Sequence, residues 1–270
     1  MVPGVLESII FFRIWKPVIF DMSSPYDHYD YLSYWEDRPY EDGSERIALE
    51  RFLNQIPQKG NLVDIGGGFG RFCRLYGNQF ENCIVLDPSE KNLDIGRRTY
   101  SKYPNLKFLK GQLPALPFEN GQFQTALMIR VAHHIKDLIP SFAEISRVLK
   151  NNGFFVLEFA NKNHFLVKFK AFFKGNFKYF SDLSPVEKRS KESIRENKIT
   201  FVNHHPQKII SDLNNCGFEV IDMLSVSNFR NQALKKNVPV SLLLKLERIF
   251  QKPLSKIFFG PSIFILAKKK

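Results

Sequence analysis

Five short apolar runs punctuate the first two thirds of the chain: Leu62-Val63-Asp64-Ile65, Cys83-Ile84-Val85-Leu86, Leu106-Lys107-Phe108-Leu109, Phe123 to Ile129, and Phe154 to Phe159. Runs of this length, rich in β-branched and aromatic residues, predict strands buried on both faces. Between them Arg71 to Phe80, Ser89 to Tyr103 and Ile139 to Leu149 carry apolar residues at helical spacing, as does Arg46 to Leu53 ahead of the first run. Parallel neighbours need a helix-sized crossover, so the alternation predicts a doubly wound α/β fold: a mostly parallel sheet with helices on both faces.

Past Phe159 the rhythm breaks. Asn163 to Phe180 interleaves phenylalanine with lysine (Phe165, Phe169, Phe172, Phe173, Phe177, Phe180), and Pro185 to Lys198 is highly charged. A helix over Pro206 to Asn215, a strand over Phe218 to Leu224, an amphipathic helix over Val240 to Phe250 and a strand over Ser262 to Ala267 complete the pattern. The beginning reads differently. Val5 to Phe20 is apolar but has no basic leader and no small-residue cleavage site, so it predicts a docking helix or an upstream extension rather than a signal peptide.

Composition sharpens this only in part. With 270 residues and 44% hydrophobic residues, the chain buries a core without disulfide or metal staples. Cys73, Cys83 and Cys216 are scattered, with no Cys-x-x-Cys pair, which points to reduced thiols in a cytoplasmic protein and to no metal site. The net charge of +12 is uneven: residues 21 to 50 hold nine acids and two bases, residues 160 to 270 eight acids and twenty-one bases. A basic last third suits an anionic partner or membrane surface, and solvated lysines kept for solubility suit it equally. No apolar stretch is long enough to predict a transmembrane helix.

The sharpest chemical signal is Val63-Asp64-Ile65-Gly66-Gly67-Gly68-Phe69-Gly70, a strand running into a glycine turn and then a helix. Such a turn lets backbone approach a ligand, and a helix N-terminus presents unpaired N–H groups, which makes a nucleotide pocket. The dinucleotide fingerprint wants a third glycine where Arg71 stands, so NAD is disfavoured. Asp87 closes the second strand at the same sheet edge, where a carboxylate can accept from both ribose hydroxyls. A helix N-cap aspartate followed by proline is the alternative for it.

With these motifs in order, residues 60 to 160 resemble a class I S-adenosylmethionine-dependent methyltransferase of the methyltransferase-11 type. The likeness rests on Asp64-x-Gly66-x-Gly68-x-Gly70, Leu86-Asp87-Pro88-Ser89, Gly111-Gln112-Leu113-Pro114-Ala115-Leu116-Pro117-Phe118, His134-Ile135, and Arg147-Val148-Leu149-Lys150-Asn151-Asn152-Gly153. It implies S-adenosylmethionine as cofactor, a seven-stranded sheet whose last strands are antiparallel, an N-terminal helical cap and an insertion after the fifth strand. It further implies that Asp64, Gly66, Gly67, Gly68 and Gly70 pass under the methionine part, Asp87 and Pro88 hold the ribose, and Gln112 and Leu113 meet the adenine. Arg130 joins the cofactor set, and Arg38, in a stretch that resembles the family's cap, is a candidate for the cofactor's carboxylate. Tyr34 or Tyr40 would close over the methyl site. Two positions depart from the pattern: Gln112 and Gln124 stand where aspartates are usual.

On this reading residues 1–45 form an extension and cap and 46–270 the methyltransferase domain, with a cofactor core at 60–160 and acceptor-side elements at 161–270. Methyl transfer is an in-line displacement in which the protein chiefly aligns the partners. A base is needed only if the acceptor must lose a proton; His134 is the candidate, with His133 and His205 behind it, and a structural imidazole is the alternative for each. The aromatic insertion suggests an apolar or lipid-like small acceptor and contact with a membrane surface, with nucleic acid a poor third. The rival readings are a protein that binds the cofactor without chemistry, a scaffold, and an NAD-linked oxidoreductase.

Overall fold

The computed structural model describes residues 31–195 and 199–270. The docking helix or extension expected over Val5 to Phe20, with Tyr26 and Tyr29, lies outside them. In chain order the elements are α1 (Tyr31–Glu36), α2 (Pro39–Leu53), β1 (Asn61–Ile65), α3 (Cys73–Tyr76), β2 (Asn82–Asp87), α4 (Glu90–Thr99), β3 (Leu106–Lys110), β4 (Phe123–Met128), α5 (Ile139–Val148) and β5 (Leu149–Ala160). Then come α6 (Phe165–Phe173), α7 (Lys178–Ser181), β6 (Val186–Glu187), α8 (Lys191–Arg195), β7 (Val202–Asn203), α9 (Pro206–Asn215), β8 (Phe218–Val226), α10 (Gln232–Asn237), α11 (Val240–Ser255) and β9 (Ser262–Lys269).

Seven strands form the main sheet in the order β3-β2-β1-β4-β5-β9-β8. The first five are parallel neighbours, and only β9 runs against its neighbours, β5 on one side and β8 on the other. The expected antiparallel ending is therefore one reversed strand, inserted between two others. Alternation of side chains splits the core into two layers. One face carries Leu62, Val85, Leu127 and Val156 against α2, α3 and α4; the other carries Val63, Ala126, Phe155 and Ile265 against α5 and α9.

Two differences from the sequence expectation bear on the site. The helix expected over Arg71 to Phe80 is a single turn, α3, because Gly70 enters it at φ +81° and Gly77 closes it with its N–H on Cys73 O. Helix α2 starts at Pro39, with Glu41 and Asp42 in its first turn, a favourable charge for a helix N-terminus, and it runs through the boundary drawn at residue 45. It is locked to α11 by a buried polar seam: Tyr40 Oη donates to Glu247 Oε2 at 2.8 Å, and Gln251 Nε2 donates to Ser44 O at 2.8 Å.

Candidate active site

The carboxyl ends of β1, β2 and β4 open onto a cleft of about 220 Å³ where the strand order reverses, the place where open α/β sheets bind ligands. Asp64, Gly66, Gly67, Gly68, Asp87, Pro88, Gln112, Leu113, Arg130 and His134 all line it. Two residues expected to hold the cofactor do not, nor do Tyr34 and Tyr40, the latter buried on Glu247. Gly70 is spent on packing, since a Cβ there would lie 2.6 Å from Cys73 Sγ. Arg38 stacks on the Tyr34 ring at 4.2 Å and stays outside the lining, which Trp35 and Arg71 enter instead.

The glycine turn does different work at each position. Gly66 and Gly67 give their N–H groups to Leu86 O at 2.7 and 3.3 Å, which ties the turn to β2. Gly68 donates to Asp87 Oδ2 at 2.9 Å. These N–H groups are therefore engaged within the protein, and the helix behind them is one turn long. The arrangement departs from the unpaired N–H groups expected at a helix start, and it offers little to a diphosphate. Gly68, at φ +56°, is the open position: a Cβ would meet nothing nearer than Asp87 Oδ2 at 3.9 Å. A side chain there would enter the cleft itself.

Asp87 is not the cap of the helix that follows. Ser89 is, accepting from the Asn92 N–H at 3.2 Å, while Asp87 Oδ1 accepts the Ser89 N–H at 2.9 Å. Asp64 lies deeper, and Tyr76 Oη donates to it at 2.9 Å. Burial pushes the Asp64 carboxyl up to about 6, against the lowering pull of Tyr76 and Arg71.

Facing these carboxylates is an ionic cluster that the sequence did not announce. Glu45 on α2 is 1% exposed; its Oε2 lies 2.5 Å from Arg71 Nη2 and its Oε1 3.0 Å from Arg130 Nε. Asp42 takes the other Arg71 nitrogen at 2.7 Å. The Arg71 guanidinium lies 3.6 Å over Trp35 and 4.0 Å over Phe72, so cation–π contact completes its surroundings. Arg130 has φ +65°, and its N–H is held by Glu158 Oε2 at 2.9 Å. Burial pulls the Arg130 pKa down, but the negative charges of Glu45 and Glu158 outweigh it and hold the guanidinium cationic.

The loop carrying Gln112 and Leu113 is stapled from below. Arg147 donates to Phe118 O at 2.8 Å and Leu116 O at 3.2 Å, while its partner Glu144 accepts the Leu116 N–H at 2.8 Å. On the opposite wall, His134 Nδ1 is 2.8 Å from Thr200 O. A carbonyl only accepts, so Nδ1 carries the proton and the neutral ring keeps its lone pair on Nε2. Burial first, then the charge of Arg130, lowers the His134 pKa below the ordinary histidine value. His133 is buried with its ring 4.0 Å from that of His134, and His205 Nε2 sits 2.6 Å from Asn163 Nδ2, away from the cleft lining.

The family model of the methyltransferase domain (Methyltransf_11) matches residues 63–157, the stretch that builds this cleft. Over those residues the chain carries a methyltransferase domain of that family. An uncharacterized methyltransferase of Bacillus subtilis, YcgJ, is 25% identical over 126 residues, 46% of this chain and 49% of that protein. The ubiquinone/menaquinone biosynthesis C-methyltransferase UbiE of a Marinomonas species is 30% identical over 128 residues, 44% of this chain and 51% of its own length. Each match thus spans about half of the relative. In fold, an S-adenosylmethionine-dependent methyltransferase of Mesorhizobium loti superposes with a TM-score of 0.54 at 16% identity, covering 83% of this chain and 98% of that one.

The residues present fit S-adenosylmethionine, the cofactor named for the Mesorhizobium loti methyltransferase that shares this fold. The cradle at Gly68, the Asp87 carboxylate beside it and the buried Asp64 suit a ribose and a cationic amino acid better than a diphosphate. Sequence reasoning missed Trp35, Glu45 and Arg71 as part of the site. Only the position of Arg71, in place of a fingerprint glycine, hinted at a side chain turned to another use.

Proposed function

We propose that this methyltransferase moves the methyl group of S-adenosylmethionine to a small, apolar, lipid-like acceptor, working at a membrane surface. The observation that carries the catalytic part is the cleft at the switch point, with Asp87 and the open face of Gly68 side by side at 2.9 Å. Asp87 and Pro88 would hold the ribose, Gln112 and Leu113 the adenine, and Asp64 the methionine amino group. Arg130 and Arg71 would face the methionine carboxylate.

When bound, the cofactor supplies an electrophilic methyl on a sulfonium leaving group. The chain's part is alignment and exclusion of water, because an in-line displacement gains most from a fixed near-attack geometry. The cleft wall contributes Ile129, Val131 and Ile135, apolar groups suited to an environment where charge is lost in the transition state. His134, neutral and proton-bearing on Nδ1, would take a proton from an acidic acceptor through Nε2.

The lipid-like acceptor is supported by the relative named for ubiquinone and menaquinone biosynthesis and by the exposed aromatic insertion that leaves the sheet beside the cleft. The test is transfer from methyl-labelled S-adenosylmethionine to short-tailed hydroquinones, a bacterial lipid extract and an aqueous extract in parallel. Label in the organic fractions is the expected result. Label confined to the aqueous extract would overturn the acceptor class. Binding of S-adenosylhomocysteine with no label transferred anywhere would favour a non-catalytic binder, and calorimetric binding of NAD alone would favour an oxidoreductase.

A further inference from the structure

Helix α6 carries its apolar stripe outward. Phe165, Phe169, Phe172 and Phe173 recur at the spacing by which a helix ordinarily faces a core. Here they are 45%, 52%, 60% and 71% exposed, Leu166 is exposed beside them, and Ala171 is the one buried residue of the helix. The rings touch one another along the stripe: Phe165 to Phe169 at 6.0 Å, Phe169 to Phe173 at 4.5 Å, and Phe172 to Phe177 at 6.2 Å between centroids. The patch is anchored to the body, with the Phe165 N–H on Phe259 O at 2.9 Å and the two rings stacked at 5.0 Å. A contiguous apolar surface so displayed marks an interaction site.

Charge says what kind. Residues 159 to 181 contain no acid and five lysines. Lys162 is buried on Asp182 at 2.9 Å and Lys168 Nζ donates to Ile257 O at 2.9 Å; Lys170 on the helix, Lys174 at its end and Lys178 at the start of α7 are exposed. Long lysine side chains can keep their ammonium groups in the headgroup layer while their neighbours enter the acyl boundary. A second copy of the chain would bring these lysines against their own kind. Single-stranded nucleic acid would find no hydrogen-bonding side chain in the stripe, and at Leu166 no ring to stack on.

We propose that α6 is an interfacial anchor that seats the methyltransferase on an anionic lipid bilayer. Its place in the fold suits that role. Strand β5 is parallel to β4 and leaves the sheet at the carboxyl edge, the edge of the cleft. Asn161 fixes the exit, donating to Phe258 O and Gly260 O at 2.8 Å each. Among the described residues no helix is long and apolar enough to cross a membrane, so the anchor lies in the plane of the surface. The anchor deepens, and rests on, the proposed work at a membrane surface.

The test is co-sedimentation of the full chain with phosphatidylcholine vesicles, with and without phosphatidylglycerol. Binding is expected only to the anionic vesicles and is expected to fall as salt rises. The double variant Phe169→Asp/Phe173→Asp should lose about tenfold or more of that binding, and Lys170→Glu/Lys174→Glu a similar amount, each with an unchanged thermal midpoint. Wild-type binding by both variants, or no binding to anionic vesicles, overturns the proposal. Concentration-dependent self-association or RNA binding abolished by the same substitutions, without vesicle binding, also overturns it. The two readings fail separately: turnover of dispersed hydroquinones without vesicle binding removes the anchor, and vesicle binding without methylation of any apolar acceptor removes the acceptor class.

Discussion

Glu45 Oε1 on α2 lies 3.0 Å from Arg130 Nε at the end of β4. The other oxygen of the same carboxylate holds Arg71, so one buried side chain ties the helix before the sheet to two cationic walls of the cleft. Removing one partner of a buried ion pair leaves the other uncompensated. Glu45→Gln should cost about 3 kcal/mol of stability in urea denaturation and weaken S-adenosylhomocysteine binding as well. Stability and affinity both equal to wild type would show that the cluster does not organise the cleft.

The glycines separate by where a methyl group would go. Gly68→Ala should lower cofactor affinity at a cost of only about 1–2 kcal/mol of backbone strain from its φ of +56°, because its Cβ points into open space beside Asp87, whereas Gly66→Ala should damage the fold, with its Cβ 2.2 Å from Val131 Cγ2. Asp87→Ala should weaken S-adenosylhomocysteine binding by about 1–3 kcal/mol in calorimetry. An affinity unchanged in both Gly68→Ala and Asp87→Ala would exclude the ribose role.

His134→Ala should retain cofactor affinity and lose turnover by roughly 10²- to 10⁴-fold if the acceptor gives up a proton in the rate-limiting step. Because burial holds the imidazole pKa low, the wild-type rate should stay level as pH falls through 6.5 and drop only in more acidic solution. Wild-type turnover in the variant would remove the base.

Glu247 is buried beneath Tyr40, and burial raises its carboxyl from 4.5 to about 7. A folded-state pKa above the unfolded one means that the native state binds more protons, so this contribution is complete below pH 4.5 and is lost as pH rises through 7. The buried histidines, whose pKa values are lowered, act in the opposite sense across acidic pH. The difference between Glu247→Gln and wild type isolates the carboxyl. The variant should gain on wild type between pH 5 and 8, by on the order of 2 kcal/mol in denaturation midpoints converted to free energy. A constant difference across that range would assign the effect to packing.

The central strands were legible because a strand covered on both faces must be apolar along its whole length, as Cys83 to Leu86 and Ala126 to Met128 are. The glycine turn and Asp87 were legible because close backbone approach leaves few residue choices. Glu45, Arg71 and Trp35 were not, since an acid in a helix full of acids reads as solvated until its distant partner is known. The length of α3 was missed for a related reason: its apolar residues keep helical spacing, but the positive φ of Gly70 and the closure at Gly77 override the pattern. The short pair β6 and β7, of two residues each, leaves no periodicity to read.

Strand β9 lies between β5 and β8 yet is the final strand of the sequence. During synthesis, both flanking edges must wait with their backbone groups unpaired until residues 262–269 leave the ribosome. The nascent chain therefore carries one adhesive border from residue 160 onward and a second from residue 226, and its solubility over that stretch depends on how promptly the closing segment slides home.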